Sequence, residues 1–351
     1  MVYVERTLPW SWYFDAEILR LEHERIFRRS WQYVGHAGQA AEPGSFFAAR
    51  AGDVPVLVTR ASDGDLRAFL NVCRHRGSVL VDGEGRRATI QCPYHAWTYG
   101  LDGALRSAPR ADEAEPREEL RLVPLALEAW GPLVFVNPDA DAPPLEDTLG
   151  ELLAAIPLDG LVFHHRADYS LEANWKIACE NFLECYHCAV AHPGFSKVVD
   201  VSKDAYTLEQ GRWHSSQYAH ARGNGDGPRG QFHFAWPNLK INVYPGRPNL
   251  SVGSVWPDGP ERSRGFLDYF FAAGEDDAWI RDLVELDDQV GREDTALVER
   301  VQRGVRAGVL TEGRLLGESE RLITHFDALV REALFESATE QPAPEVRLPQ
   351  R

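Results

Sequence analysis

Two short stretches of the 351-residue chain each pair one cysteine with one histidine: CRHRG at 73–77 and CPYH at 92–95. Cys73 and His75 are spaced C-x-H, Cys92 and His95 are spaced C-x-x-H, and 16 residues separate His75 from Cys92. Thiolate and neutral imidazole both bind soft and borderline metal ions. Two of each would suit a tetrahedral zinc. Zinc fingers, however, put their cysteines together on one knuckle, whereas each stretch here offers one ligand of each kind. That mixed pattern matches a [2Fe–2S] cluster in which one iron takes both cysteines and the other both histidines. Neutral imidazoles in place of thiolates make such a cluster less negative and easier to reduce.

A second histidine pair follows in ECYHCAVAH, 184–192. The stretch 174–191 reads as one helix, stopped by Pro193 and Gly194. On it Glu180, Glu184 and His187 share a face, opposite Cys179, Phe182, Tyr186 and Val190. Apolar flanks at Trp175, Ile177, Phe182 and Leu183 suggest that the polar stripe faces a pocket rather than solvent. His192 lies about 140° from His187 on an ideal helix. Convergence therefore needs a distorted last turn, of π type or unwound before Pro193. Two converging histidines supply two ligands of a 2-His-1-carboxylate site, which leaves positions open for O₂ and suits Fe(II). On the helix expected at 279–301, Leu283, Leu286, Val290, Leu297 and Val301 form one apolar stripe, and the place missing from it falls at Asp294. A carboxylate on a buried stripe needs a partner, and a metal would be one. Asp287 and Glu293 are rival carboxylates, and Asp294 at a helix break near Gly291 is the plain alternative. Cys185 and Cys188, interleaved with His187, read as small packing residues rather than as a redox or zinc pair.

The elements that must position these residues change along the chain. An amphipathic helix is expected at 14–30. From Gly44 to about Pro138, short β-rich runs alternate with Gly/Asp turns, which predicts a compact all-β unit. Strand-like runs recur at 238–244, 249–255 and 266–272, and the last third reads as helical, over 277–305 and 317–335. The stretches 109–120 and 222–230 read as loops. The length suggests two domains. A net charge of −16 argues against nucleic acid or an anionic membrane as partner. No signal peptide and no membrane span are expected. Five cysteines are too few for a disulfide framework, so a reducing, cytoplasmic setting is expected.

With these motifs in place, the sequence resembles the Rieske non-haem iron oxygenases, catalytic alpha subunits. The resemblance rests on FRRSWQYVGH (27–36), LNVCRHRGSVL (70–80), CPYHAWTYGLDG (92–103), NWKIACENFLECYHC (174–188) and AHPGF (191–195). It implies an α+β architecture: a β-rich Rieske domain at 39–140 and a helix-grip (START-like) catalytic domain at 141–351, with an antiparallel sheet and long C-terminal helices. Residues 1–38 would be a helical segment packing on the latter. The cluster would be held by Cys73, His75, Cys92 and His95, and the iron by His187, His192 and Asp294, since EDTALVERVQ (293–302) matches the helix that carries the family's third ligand.

By the same resemblance, Glu184 stands at the bridging carboxylate that links a Rieske histidine of one subunit, here His95, to an iron ligand of its neighbour, here His187. Most members use aspartate there; glutamate is similar to the branch that acts on quaternary amines. The implied reaction uses O₂ and electrons from a separate flavin reductase, with or without a ferredoxin, in a homotrimer. It leans to oxidative N-demethylation of a quaternary or N-methylated amine, with Phe182, Tyr186, Phe232, Phe234, Trp236 and Tyr244 as candidate pocket walls. Hydroxylation or O-demethylation of an aromatic acid is the alternative. A pure electron carrier and a zinc-stabilised binding protein are the alternatives of another class.

Overall fold

The structure, a computed structural model, describes residues 5–110, 117–223 and 227–335. The expected loops at 109–120 and 222–230 lie partly outside them, at 111–116 and 224–226. The chain divides into two compact units, one spanning residues 23–145 and the other joining the described residues up to Glu22 to those from Glu146 onward.

The first unit is built on β1 (Gln32–His36), β2 (Ser45–Ala51), β3 (Val54–Arg60), β4 (Leu66–Leu70), β5 (Glu84–Arg86), β6 (Thr89–Gln91), β7 (Thr98–Gly100), β8 (Leu105–Ser107), β9 (Pro124–Trp130) and β10 (Leu133–Asn137). Seven strands pair in the order β1-β10-β9-β4-β3-β2-β5, and β6-β7-β8 form a separate three-stranded sheet. The period-two alternation of strands sends neighbours to opposite faces. Phe46, Leu57 and Phe69 enter a core that also contains Cys73, Cys92 and Tyr99. Their neighbours Phe47, Val56, Val58 and Ala68 enter a second core with Val34 and Val136. The cysteine loops are thus anchored to one face of the larger sheet. Residues 32–36, expected in an N-terminal helical segment, instead form β1 and pair with β10. The helix expected at 14–30 is shorter: α1 (Ala16–Arg25), then a 3-10 turn at Phe27–Arg29.

The second unit carries α2 (Leu145–Ala155), β11 (Leu161–Leu171), α3 (Trp175–Phe182), α4 (Cys188–Ala191), β12 (Thr207–Gln210), β13 (His214–Ala219), β14 (Gly230–Ala235), β15 (Leu239–Val243), β16 (Asn249–Pro257), β17 (Ser263–Ala272), α5 (Asp277–Arg306) and α6 (Arg321–Phe335). Its antiparallel sheet runs β11-β17-β16-β15-β14-β13-β12. α5 is capped by Asp276, whose side chain accepts from Ala278 N. It is tied to the sheet through Asp287, which accepts from the phenols of Tyr244 and Tyr269. It is tied to the start of α3 by Asn174 N–H donating to Gln302 Oε1 at 2.9 Å. Among the described residues no helix is long and apolar enough to cross a membrane.

Three expectations are corrected. The stretch 174–191 is not one helix: α3 ends at Phe182 and the chain turns before α4, because the Glu184 carboxylate takes the backbone N–H groups of Tyr186 and His187. α5 is unbroken at Gly291; Leu283, Leu286 and Val290 of its expected stripe pack partly buried against the core, but Val301 is exposed and the most buried positions are Ile280, Asp287, Val298, Gln302 and Val305. Cys185 and Cys188 are not plain packing residues but are joined by a disulfide across His187.

Candidate active site

The two cysteine loops share one backbone design. Cys73 N–H donates to Ser78 O, and Gly77 N–H returns to Cys73 O; Cys92 N–H donates to Trp97 O, and Ala96 N–H returns to Cys92 O. In each loop the fourth residue after the cysteine is left-handed: Gly77 at φ 75° and Ala96 at φ 59°. Glycine adopts that conformation freely, while alanine pays about 1 kcal/mol for it. The turn points backbone donors at sulfur: His75 N–H at Cys73, and the N–H groups of Tyr94 and His95 at Cys92. Burial raises the Cys73 thiol pKa; burial also acts on Cys92, but the backbone donors outweigh it and lower that thiol. Both thiols are free and buried, whereas His75 and His95 are exposed, with ring centroids 4.6 Å apart. His75 also stacks on Trp97 at 4.9 Å. Two buried sulfurs set in N–H cradles beneath two converging imidazoles fit a Rieske [2Fe–2S] centre.

The second site is assembled from three elements. The four-residue α4 separates His187, at its N-cap, from His192, at its C-cap, and this break swings the two rings together. Their Nε2 atoms lie 3.0 Å apart. From α5, Asp294 Oδ1 comes to 3.0 Å from His192 Nε2 and 3.4 Å from His187 Nε2. His187, His192 and Asp294 thus each turn one possible ligand atom toward a common point. The outer nitrogens are braced: His187 Nδ1 meets Glu184, and His192 Nδ1 meets Glu293 Oε2 at 2.8 Å. Gln289 donates to the other oxygen of Glu293 at 2.9 Å, and Asn181 donates to Asp294 at 3.1 Å. The donor set, two neutral-imidazole nitrogens and one carboxylate oxygen, fits an open-faced Fe(II) site. Burial disfavours charge on His187, but Asp294 and Glu184 overcome it and push the ring up to about 9. Asp294 is buried too, yet the two imidazoles hold it well below the usual carboxylate range. The site is therefore one that gathers positive charge.

Beside it lies a cavity of about 500 Å³. Of the expected walls, Phe182, Phe232 and Tyr244 line it. Phe232 and Tyr244 join Phe195 in a trio of mutually edge-on rings, with centroids 5.5–6.2 Å apart. Phe195 in turn stands 6.5 Å from the His192 ring. Three residues are corrected. Phe234 and Trp236 lie farther along the chain and pack on Phe326 of α6. Tyr186 sits in the turn before α4 and is 66% exposed. The sequence reading missed Glu293 as the brace of His192; its place one residue before Asp294 was the available signal. Asp287, weighed in the sequence only as a rival ligand, is instead buried against Tyr244 of the trio and raised above the usual carboxylate range by that burial, although both phenols donate to it.

Two family models match the chain: the Rieske [2Fe-2S] domain over residues 30–125, and the ring hydroxylating alpha subunit (catalytic domain) over residues 158–336. The chain is 36% identical to the carnitine monooxygenase oxygenase subunit of Acinetobacter pittii, covering 92% of this chain and 94% of that protein. It is 32% identical to the chloroplastic choline monooxygenase of Spinacia oleracea, over 93% and 78%. Among solved structures it resembles a quaternary ammonium Rieske monooxygenase in complex with the substrate gamma-butyrobetaine. That match has 33% identity and a TM-score of 0.84, and covers 94% of this chain and 96% of that one.

Proposed function

The chain belongs to the Rieske non-haem iron oxygenase alpha subunits, and on that premise we propose that it is a monooxygenase of quaternary ammonium compounds that oxidises a carbon bonded to the cationic nitrogen. The observation that carries this reading is the trio Phe195, Phe232 and Tyr244 beside His192, with the Asp287 carboxylate behind it. Ring faces attract a tetraalkylammonium through their quadrupoles, by about 2 kcal/mol or more when water is excluded. A phenol donating to a buried carboxylate has an electron-richer ring, which adds to that attraction. The relatives act, by their names, on carnitine and choline, both quaternary ammonium compounds.

In this reading Cys73, Cys92, His75 and His95 hold the cluster, and His187, His192 and Asp294 hold the iron. When bound, the cluster relays single electrons and the iron activates O₂ for insertion into a C–H bond. The chain's own groups do the rest. Glu184 and Glu293 fix each ring with Nδ1–H outward and the Nε2 lone pair inward. The aromatic trio presents the N-bound carbon and leaves the ammonium no water to turn toward. Hydroxylation of that carbon gives a carbinolammonium, which releases a tertiary amine, an aldehyde and a proton; oxidation at a methyl group makes the aldehyde formaldehyde. As an oxygenase subunit the chain takes its electrons from a separate reductase component. That the reductase is a flavoprotein, and that a homotrimer brings Glu184 against His95 of a second copy, are parts of the same proposal.

A single turnover tests it. The protein is reduced chemically and exposed to O₂ with pooled quaternary amines in one tube and pooled aromatic acids in another. A tertiary amine with an equivalent of aldehyde is the expected product. Hydroxylated or O-demethylated aromatics, with the amines untouched, would overturn the reading.

A further inference from the structure

We propose that Lys240 is the anchor for a carboxylate on the substrate, so that this chain selects zwitterionic betaines over quaternary amines that lack an acid group. The inference rests on the quaternary-ammonium reading and adds the other end of the molecule. The catalytic unit has two inward-turned lysines, and they are treated differently. Lys176 is fully buried and ion-paired: its ammonium meets Glu22 and the carbonyl of Trp12, and Glu22 is held in turn by Trp175. Lys240, on β15, lines the cavity instead. It donates one N–H to Ala178 O at 3.0 Å and lies 5.2 Å from the Phe182 ring centroid, and among the described residues it makes no ion pair.

An ammonium carries three donors. One is used here, and the rest belong to a half-buried charge on the wall of the cavity, which an anion entering that cavity would complete. Burial already pulls this ammonium below the usual lysine range.

The placement also fits a molecule with two opposite charges. Lys240 and Asn242, two apart on β15, share one face of the strand, Tyr244 follows directly after its end, and all three line the cavity. The Cα atoms of Lys240 and Tyr244 are thus about 13 Å apart at 3.3 Å per residue. One end of this row offers the electron-rich trio backed by Asp287; the other offers a cation beside Phe182. A short chain with an ammonium at one end and a carboxylate at the other would satisfy both.

The test uses the enzyme with both metal centres loaded. Binding and turnover of γ-butyrobetaine and of its uncharged carboxamide are measured for the wild type, Lys240→Met and Lys240→Arg, with cluster absorption and iron content confirming that each variant is folded. The wild type is expected to bind the acid about 10²-fold more tightly than the amide, as for a desolvated charge pair. Lys240→Met should abolish that difference by weakening the acid alone, with the effect in KM more than in kcat, and Lys240→Arg should retain most of it. If Lys240→Met leaves the preference intact, or weakens acid and amide alike, the anchor is refuted while the ammonium reading stands. If neither compound binds but an aromatic carboxylate does, the ammonium reading falls. Lys240 is then judged by that acid: a selective loss in Lys240→Met keeps the anchor, and no loss removes it.

Discussion

The molecule has two places where a histidine pair converges, and they are built on opposite principles. His75 and His95 are exposed, stand on loops whose cysteines are buried, and meet no carboxylate among the described residues. His187 and His192 are turned inward, and each has its own carboxylate on Nδ1, Glu184 and Glu293 respectively. An exposed imidazole pair above buried sulfur is an edge through which an electron can pass to or from another molecule. A pair braced from behind and closed by Asp294 would, in the proposed function, make a fixed seat for a cation that must not shift while its open face changes partners. The difference teaches that residue type alone does not set the role; what stands behind each ring does.

Separating the two centres gives the largest effects. His187→Ala or Asp294→Ala should remove nearly all the mononuclear iron and lower single-turnover yield by at least about 10³-fold, with cluster absorption unchanged. Cys92→Ser should do the reverse, bleaching the cluster while the protein still binds Fe(II). Metal analysis and visible spectra read both. If His187→Ala keeps its iron and its turnover, the proposed seat is misplaced.

The two centres also differed in how far they could be read from sequence. The cluster motif was legible because its four residues come from two hairpin-like loops, where spacing in sequence is nearly spacing in space. The iron site was legible only in part. Asp294 was singled out through a gap in an apolar stripe; Leu283, Leu286 and Val290 of that stripe do pack against the core, whereas Val301 is exposed and Val298 is buried instead. The break between α3 and α4 was expected after His187 and lies before it, because propensity cannot report that Glu184 will take two backbone N–H groups. β11 went unread since its residues, LVFHHRADYSL, form an edge strand with only Leu161 and Leu171 buried, and so show no alternation. The aromatic walls split for a similar reason: periodicity places Phe232 and Phe234 on one face but cannot say where along the strand the cavity ends.

The braces sharpen the comparison at intermediate size. Both carboxylates orient a histidine, but only Glu184 is proposed to reach a second copy. Glu293→Gln should weaken iron binding about 10- to 100-fold, as outer partners of metal ligands do, and turnover should return when excess iron is supplied. Glu184→Gln should weaken iron binding to a similar degree, but excess iron should not restore its rate of cluster reoxidation under O₂ and substrate. Equal rescue of both variants would reduce Glu184 to a brace like the other.

The smallest effect concerns protons, and here the two centres should part company. Without metal, His187 is pushed up to about 9 and His192 is also raised, in both cases because burial is overcome by carboxylates led by Asp294. A protonated ring has no lone pair on Nε2, so every such proton must leave before Fe(II) can bind. Apparent affinity should therefore rise with pH, by about tenfold per unit for each proton displaced, and level off above about 9. Asp294→Asn would confuse this by removing a ligand, whereas Glu184→Gln removes an upward push on His187 while leaving all three ligands, and should move the plateau to lower pH. At the cluster, His95 is exposed, and slight desolvation on its loop together with its neighbours His75 and Arg76 pulls it below the ordinary imidazole range. With no carboxylate facing its imidazoles among the described residues, the cluster should be retained with a much flatter dependence over the same range. Anaerobic Fe(II) titration against a competing chelator from pH 6.5 to 9.5, with cluster absorbance followed in the same samples, measures both slopes. A flat iron affinity would mean that the carboxylates behind the rings orient them without charging them.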